Sequence, residues 1–166
     1  MAGLLDRVSR VADVPGGVLV GQDGSACAQE ALVWAARLAY RAGCDLHVLR
    51  VWTLVSAPRP ATWEPGYVPP LYEWADAVHA ALSADVAAAR LPAGLSVTCH
   101  VAHGAPAPRL IASAAHADLL VVGSRGHGGF AGHLLGSVSD QCVRHAPCPV
   151  TVVRGRQRPD PGDVES

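Results

Sequence analysis

Apolar and polar positions along the chain follow two alternating rhythms. Residues 18–23, VLVGQD, form an apolar run that ends in glycine and polar residues, which predicts a strand running into a turn. Directly afterwards Ala28, Ala31, Leu32, Ala35, Leu38, Ala39 and Ala42 recur at helical spacing, with Glu30, Arg37 and Arg41 opposite, so an amphipathic helix follows. Ser25 supplies a hydroxyl for its N-cap, and Gly43 ends it. The alternation continues with a strand LHVLRVW at 46–52 and a helix over 71–91 carried by Leu71, Trp74, Ala75, Val78, Leu82, Val86 and Ala89. A strand at 95–101 sets Leu95, Val97, Cys99 and Val101 against Ser96, Thr98 and His100, so one of its faces is wetter and it belongs at an edge. A short helix then opens at Gly104 and Pro106 and runs to about His116, ahead of the wholly apolar LLVV at 119–122. A helix over 137–145 leads through Pro147 and Pro149 into a last strand, PVTVVR.

Five strands alternating with four helices specify a parallel α/β sheet covered on both faces, because parallel neighbours require right-handed helical crossovers. The most apolar strands, first and fourth, belong at the centre, and the predicted order is 3-2-1-4-5. The chain then reverses direction between strands 1 and 4, and open sheets of this kind bind ligands at the carboxyl ends of strands beside such a reversal. Two stretches fall outside the rhythm. The segment from 53 to 70 carries five prolines and is read as a surface loop, with a lid over the crevice as the alternative. Residues 1–16 form an N-terminal extension in which Leu4, Leu5, Val8 and Val11 make a small apolar stripe, either docked or frayed, and the polar, turn-rich tail at 155–166 is expected to be disordered. Residues 17–154 are the domain.

Composition narrows the chemistry. The 166 residues carry 13 basic and 14 acidic side chains, a formal charge of -1, so no positive field exists to hold nucleic acid or an anionic membrane. Every basic residue is Arg; the chain has no Lys. A Walker A loop is therefore excluded, and the first turn, GQDGS, lacks the dinucleotide fingerprint. No apolar stretch is long enough to span a bilayer, and the first residues do not read as a secretory leader, so a cytoplasmic protein is expected. Five cysteines without a C-x-x-C pair argue for reduced thiols rather than a disulfide framework or a thiolate zinc site.

The two segments that the strand order brings to the crevice are GQDGS after strand 1 and VVGSRGHGGFAGHLLGS after strand 4. Glycines at 123, 126, 128, 129, 132 and 136 would admit positive φ angles and let backbone N–H groups close on an anion. Gly136 and Ser137 stand where the next helix begins, so its unpaired amides point at the same space. Ser137 and Ser139 add hydroxyl donors, Arg125, His127 and His133 add positive charge, and Asp23 suits ribose hydroxyls or the edge of a base. A phosphate site follows. A metal site formed by His127, His133 and His145 lacks ligand spacing, and Trp52 is assigned to core packing ahead of stacking on a base.

The spacing Gly123-x2-Gly126-x9-Gly136-Ser137, with Asp23 at the end of strand 1 and the closing HAPCPVTVVR, resembles the universal stress proteins of the ATP-binding type over residues 17 to 154. The resemblance implies a Rossmann-like fold related to the adenine nucleotide α-hydrolases, with ATP as ligand, often with Mg or Mn beside the phosphates. It implies that Asp23 and Val51 receive ribose and adenine, that Gly21 lines the pocket with Gln22 and Val122 alongside, and that Gly123, Ser124 and Gly126 wrap the phosphates. Arg125, His127 and Gly128 continue that loop, and Ser137, Val138 and Ser139 take the phosphate tail. It also implies a homodimer through Val150 to Val153 and a stress-response regulatory role with an unknown protein partner. The x9 segment HGGFAGHLL departs from the pattern, with two histidines and no permanent cation, which makes phosphate affinity weaker or dependent on pH. No nucleophile with a paired base accompanies the glycines, so hydrolysis is expected to be slow or absent. The alternatives are a dimeric scaffold of the same family without nucleotide, or a slow ATPase or α-hydrolase. Gly123→Ala and Asp23→Ala are both expected to weaken ATP binding without unfolding the chain.

Overall fold

The first strand, β1 (Val18–Gly21), is the axis of the fold. In the computed structural model, which describes residues 8–127 and 135–155, it lies between β2 (Leu46–Trp52) and β4 (Leu119–Gly123). β3 (Val97–His103) and β5 (Val150–Val153) form the two edges. All pairings are parallel and the order is β3-β2-β1-β4-β5, as the hydrophobic patterning requires. Leu19 and Leu120 face one side of the sheet; Val18, Val20 and Val121 face the other; all are buried. Both sides of the central strands are therefore covered, which is why they read as unbroken apolar runs.

Helix α1 (Ala26–Ala42) lies on the side of Val18, Val20, Leu46 and Val48. Ser25 caps it, its hydroxyl accepting the Ala28 N–H at 3.2 Å, and Gly43 closes it with φ 65°. Its buried face is Ala28, Ala31, Leu32, Ala35, Ala36 and Ala39. Five alanine methyl groups on that face let the helix approach the sheet closely, and at one point the approach reaches backbone: a Cβ on Gly123 would stand 3.0 Å from Cys27 Sγ and 3.1 Å from the Cys27 carbonyl carbon. Helix α2 (Leu71–Ala88) covers β2 and β3 on the same side through Ala75, Val78 and Leu82. It stops three residues before the patterned end at 91, because Arg90 takes φ 49° ahead of Pro92. β3 accordingly begins two residues later than expected, at Val97, the partner of Leu46.

The opposite side carries α3 (Pro106–Ser113) and α4 (Ser137–His145). These helices are short; α3 packs against β2, and β3 lies beyond it. The N-terminal segment fills the gap: Ala12 and Val14 are buried beside Leu49, Ala102 and Leu110. It is tied down by His103 N–H to Ser9 O at 2.9 Å, Ala12 N–H to Ser113 Oγ at 2.9 Å and Gly17 N–H to Asp118 Oδ2 at 2.7 Å. Of the apolar stripe, Val8 packs near Trp52 and Val11 stays exposed; Leu4, Leu5 and the tail from 156 lie outside the described residues. Beneath this segment His47 Nδ1 and His100 Nε2 are 3.0 Å apart. All five cysteines are free thiols. Among the described residues no helix is long and apolar enough to cross a membrane.

Candidate functional site

β1 and β4 are adjacent but their crossovers leave on opposite sides of the sheet, so the loops at their carboxyl ends part and open a crevice. It has a volume of about 1280 Å³. Three structural pieces form its polar wall: the turn after β1, the loop after β4 and the first turn of α4.

The β1 turn begins with Gly21 and Gln22 and tips at Asp23. Asp23 is exposed, and its Oδ1 accepts the Ser25 N–H at 2.9 Å. The other oxygen lies across the β4 loop, where a Cβ on residue 126 would be 2.6 Å from it. A side chain at 126 would therefore push the Asp23 carboxylate aside. The His127 ring nitrogen is 3.1 Å from the Asp23 carbonyl oxygen, so the two loops meet at these three residues. Gln22 also borders the crevice, but only 2% of it is exposed. Its side-chain oxygen accepts the Gly24 N–H at 2.6 Å and its amide donates to Gln29.

Gly123, Arg125, Gly126 and His127 border the crevice as expected, with Val51 and Val122 on its apolar side. Ser124 does not border it. The Ser124 N–H bonds Val153 O at 2.8 Å, continuing the β4–β5 ladder, and its hydroxyl faces Cys27 Sγ at 3.6 Å. The expected positive φ angles are also absent from Gly123, Gly126 and Gly136; in this region the left-handed residue is Gly24, at φ 88°. Gly123 is glycine because α1 passes against it, which makes Gly123→Ala a perturbation of packing and not a clean probe of the site. Gly128, with Gly129, Gly132 and His133, lies outside the described residues.

Gly136 is the extended residue before α4, with φ -69° and ψ 163°, and no side chain caps the helix start. Ser137, Val138 and Ser139, whose N–H groups belong to the first turn and have no carbonyl one turn earlier in the helix to bond, border the crevice. The two hydroxyls differ. Ser139 is buried and its Oγ donates to Gly136 O at 2.9 Å and Ser124 O at 3.2 Å, closing the loop onto the helix. Ser137 is exposed and borders the crevice. Sequence reasoning missed Asp140, which also borders the crevice and pairs with Arg144 at 3.0 Å; its signal was an acidic residue in a first helical turn.

Trp52 is 1% exposed, packs on Ala75 and Val78, and meets the His103 ring edge-on at 4.7 Å. It is core, as assigned, and its ring also forms the inner end of the crevice. The proline-rich segment divides: Val55, Ser56 and Pro58 stand at the mouth. Trp63 lies under the Arg59 guanidinium at 4.6 Å, and Tyr67 bonds Glu73 at 3.1 Å; neither borders the crevice. Among the described residues no three His, Cys, Asp or Glu side chains gather as a metal cage.

The model of the universal stress protein family matches residues 17–154. A universal stress protein of Mycolicibacterium smegmatis is 39% identical over 142 residues, which cover 84% of this chain and 46% of that relative. The chain spans about half the length of the mycobacterial relatives it matches. Among solved structures, the universal stress protein UspA from Lactobacillus plantarum superimposes with a TM-score of 0.61 at 29% identity, covering 86% of this chain and 99% of that one. A universal stress protein in complex with cAMP gives a TM-score of 0.56 at 26% identity, covering 87% of this chain and 100% of that one. Strand order, the glycine-and-serine loop that closes on α4 and these matches agree, and the chain belongs to the universal stress protein family.

Proposed function

We propose that the crevice holds ATP and that the protein is a nucleotide-responsive regulatory module with slow or no hydrolysis. The observation that carries this reading is the uncapped start of α4. Three N–H groups and the Ser137 hydroxyl open onto a large crevice at the reversal of the sheet, and an anion there gains from both the orphan donors and the helix dipole. Arg125 borders the same space and adds positive charge, and the His127 ring stands beside it. Asp23, opposite, takes ribose hydroxyls, and adenine enters the apolar end by Val51 and Val122. The related protein in complex with cAMP supports an adenine nucleotide. The residues present fit such a ligand: acceptor oxygens meet donors, and the base meets carbon. A divalent ion, Mg or Mn, would be carried by the phosphates and water, in keeping with the preference of Mg for few protein ligands.

Among the described residues no side chain in the crevice pairs a nucleophile with a base, which favours a site that binds and orients. Response passes to other molecules through the dimer edge at Val150–Val153, or through a partner that reads the mouth. Calorimetric titration of the full chain with ATP, ADP, AMP and cAMP, with and without Mg, tests the reading. Saturable ATP binding is expected, weakened roughly tenfold or more in Asp23→Ala through loss of charge-assisted hydrogen bonds. Absence of binding by every nucleotide would overturn it, and rapid release of AMP and pyrophosphate would move the protein among enzymes.

A further inference from the structure

Arg50 breaks the pattern of its own strand. Leu46 and Val48, on the same side of β2, are apolar and buried against α1 and α2. Arg50 follows them in that row with a side chain only 11% exposed. A guanidinium so enclosed loses hydration that an ion pair does not fully return, so its retention calls for a geometric role.

Its donors show what that role is. Arg50 Nε donates to the Gln22 carbonyl at 3.0 Å, and one terminal nitrogen reaches both Gln22 Oε1 and Asp85 Oδ2, the latter at 2.6 Å. Gln22 Oε1 also holds the Gly24 N–H at 2.6 Å. Gln22 Nε2 donates to Gln29 Oε1 at 2.7 Å, and Gln29 Nε2 donates to the Asp85 carbonyl at 3.0 Å. The ring is closed: β2, the β1 turn, α1 and α2 each supply a member. Within it residue 22 is gripped at backbone and side chain, residue 24 by its N–H, and residue 25 by the carboxylate of Asp23 itself. The turn is pinned on both sides of Asp23, with Gly24 held at φ 88°.

We infer that Arg50 is a positioning residue for ribose recognition: through Gln22 it fixes the Asp23 turn so that the carboxylate meets the sugar hydroxyls without reorganisation. This rests on the adenine-nucleotide reading and adds to it a determinant of sugar selectivity outside the loop motif. A pre-fixed acceptor loses less on binding than a mobile one. The two-point grip needs the planar fork of Arg, which the point charge of Lys does not reproduce.

The test compares affinities for ATP and 2′,3′-dideoxy-ATP in the unmodified chain, Asp23→Ala, Arg50→Gln and the double variant, with thermal melting as the check on folding. The unmodified chain is expected to prefer ATP by roughly tenfold or more. In Arg50→Gln the preference falls to within about threefold, and adding Asp23→Ala lowers it no further, as coupled residues require. A loss of stability alone leaves the ratio unchanged, so the ratio separates positioning from structure. Should Arg50→Gln fail to fold, Arg50→Lys keeps a charge beside Asp85 and is read in the same way. Full preference in the Arg50 variant, or losses that multiply in the double variant, overturns the positioning role and leaves nucleotide binding standing. Equal affinity of the unmodified chain for both nucleotides does the same. Binding of neither overturns both readings.

Discussion

His100 illustrates how one residue acquires a property from its surroundings. It sits on edge strand β3, where a histidine would ordinarily face water, but the N-terminal segment crosses above it. Burial lowers its pKa from the ordinary 6.5, His47 and His79 lower it further, and Asp13 raises it against them. The neutral ring is therefore favoured in the folded chain, while the unfolded chain takes up the proton more readily. Its contribution is whole above about pH 6.5 and is lost as pH falls from there through the depressed folded value. We expect Tm to drop between about pH 7.5 and pH 5.5, and to drop less in His100→Gln; equal slopes in differential scanning calorimetry would refute the assignment. At the same scale the sequence named Asp23, Gly126 and Ser137, which border the crevice. It also named Ser124 and Ser139 for their hydroxyls, which meet protein partners. A serine announces a hydroxyl but not its direction, and both point into the protein.

At the scale of elements, the close contact between α1 and β4 explains a glycine that motif reasoning gave to phosphate. Alanines along α1 bring the helix down until Cys27 rests on Gly123. Gly123→Ala must displace helix backbone, and overpacking of this kind costs about 1–3 kcal/mol. A fall in Tm of several degrees is expected in the absence of nucleotide; an unchanged Tm would mean that α1 shifts freely. Element types and strand order were legible because each face of the sheet imposes its own period on the sequence. Boundaries moved where a backbone detail took over: the left-handed Arg90 shortened α2, and pairing with Leu46 drew β3 toward the C-terminus. For the N-terminal segment the apolar stripe left docking and fraying both open, and the residues that dock most deeply, Ala12 and Val14, lie outside that stripe. The segment is held by hydrogen bonds to His103, Ser113 and Asp118, the last a reciprocal pair with Gly17, and by burial of Ala12 and Val14.

For the whole molecule, β5 is the open question of assembly. Its four residues are all half-buried and, among the described residues, its ladder pairs with β4 on one side; an edge of this kind invites a second strand. The chain also spans about half the length of its mycobacterial relatives, so two copies side by side would restore the size of such a relative. Sedimentation equilibrium should return twice the 17.1 kDa mass of the chain; a monomer at all concentrations would remove β5 as the route of communication. The opposite edge is different, because His103 at the end of β3 already bonds Ser9.

The sequence by itself determined the layers, the strand order and the place of the crevice, since apolar periodicity and crossover handedness are local rules that add up to one topology. Tertiary structure alone decided which donors face that crevice. Gln22 and Gln29 are seven residues apart, but Arg50 and Asp85 come from other elements, and only the convergence of two strands and two helices turns the four into a brace beneath Asp23.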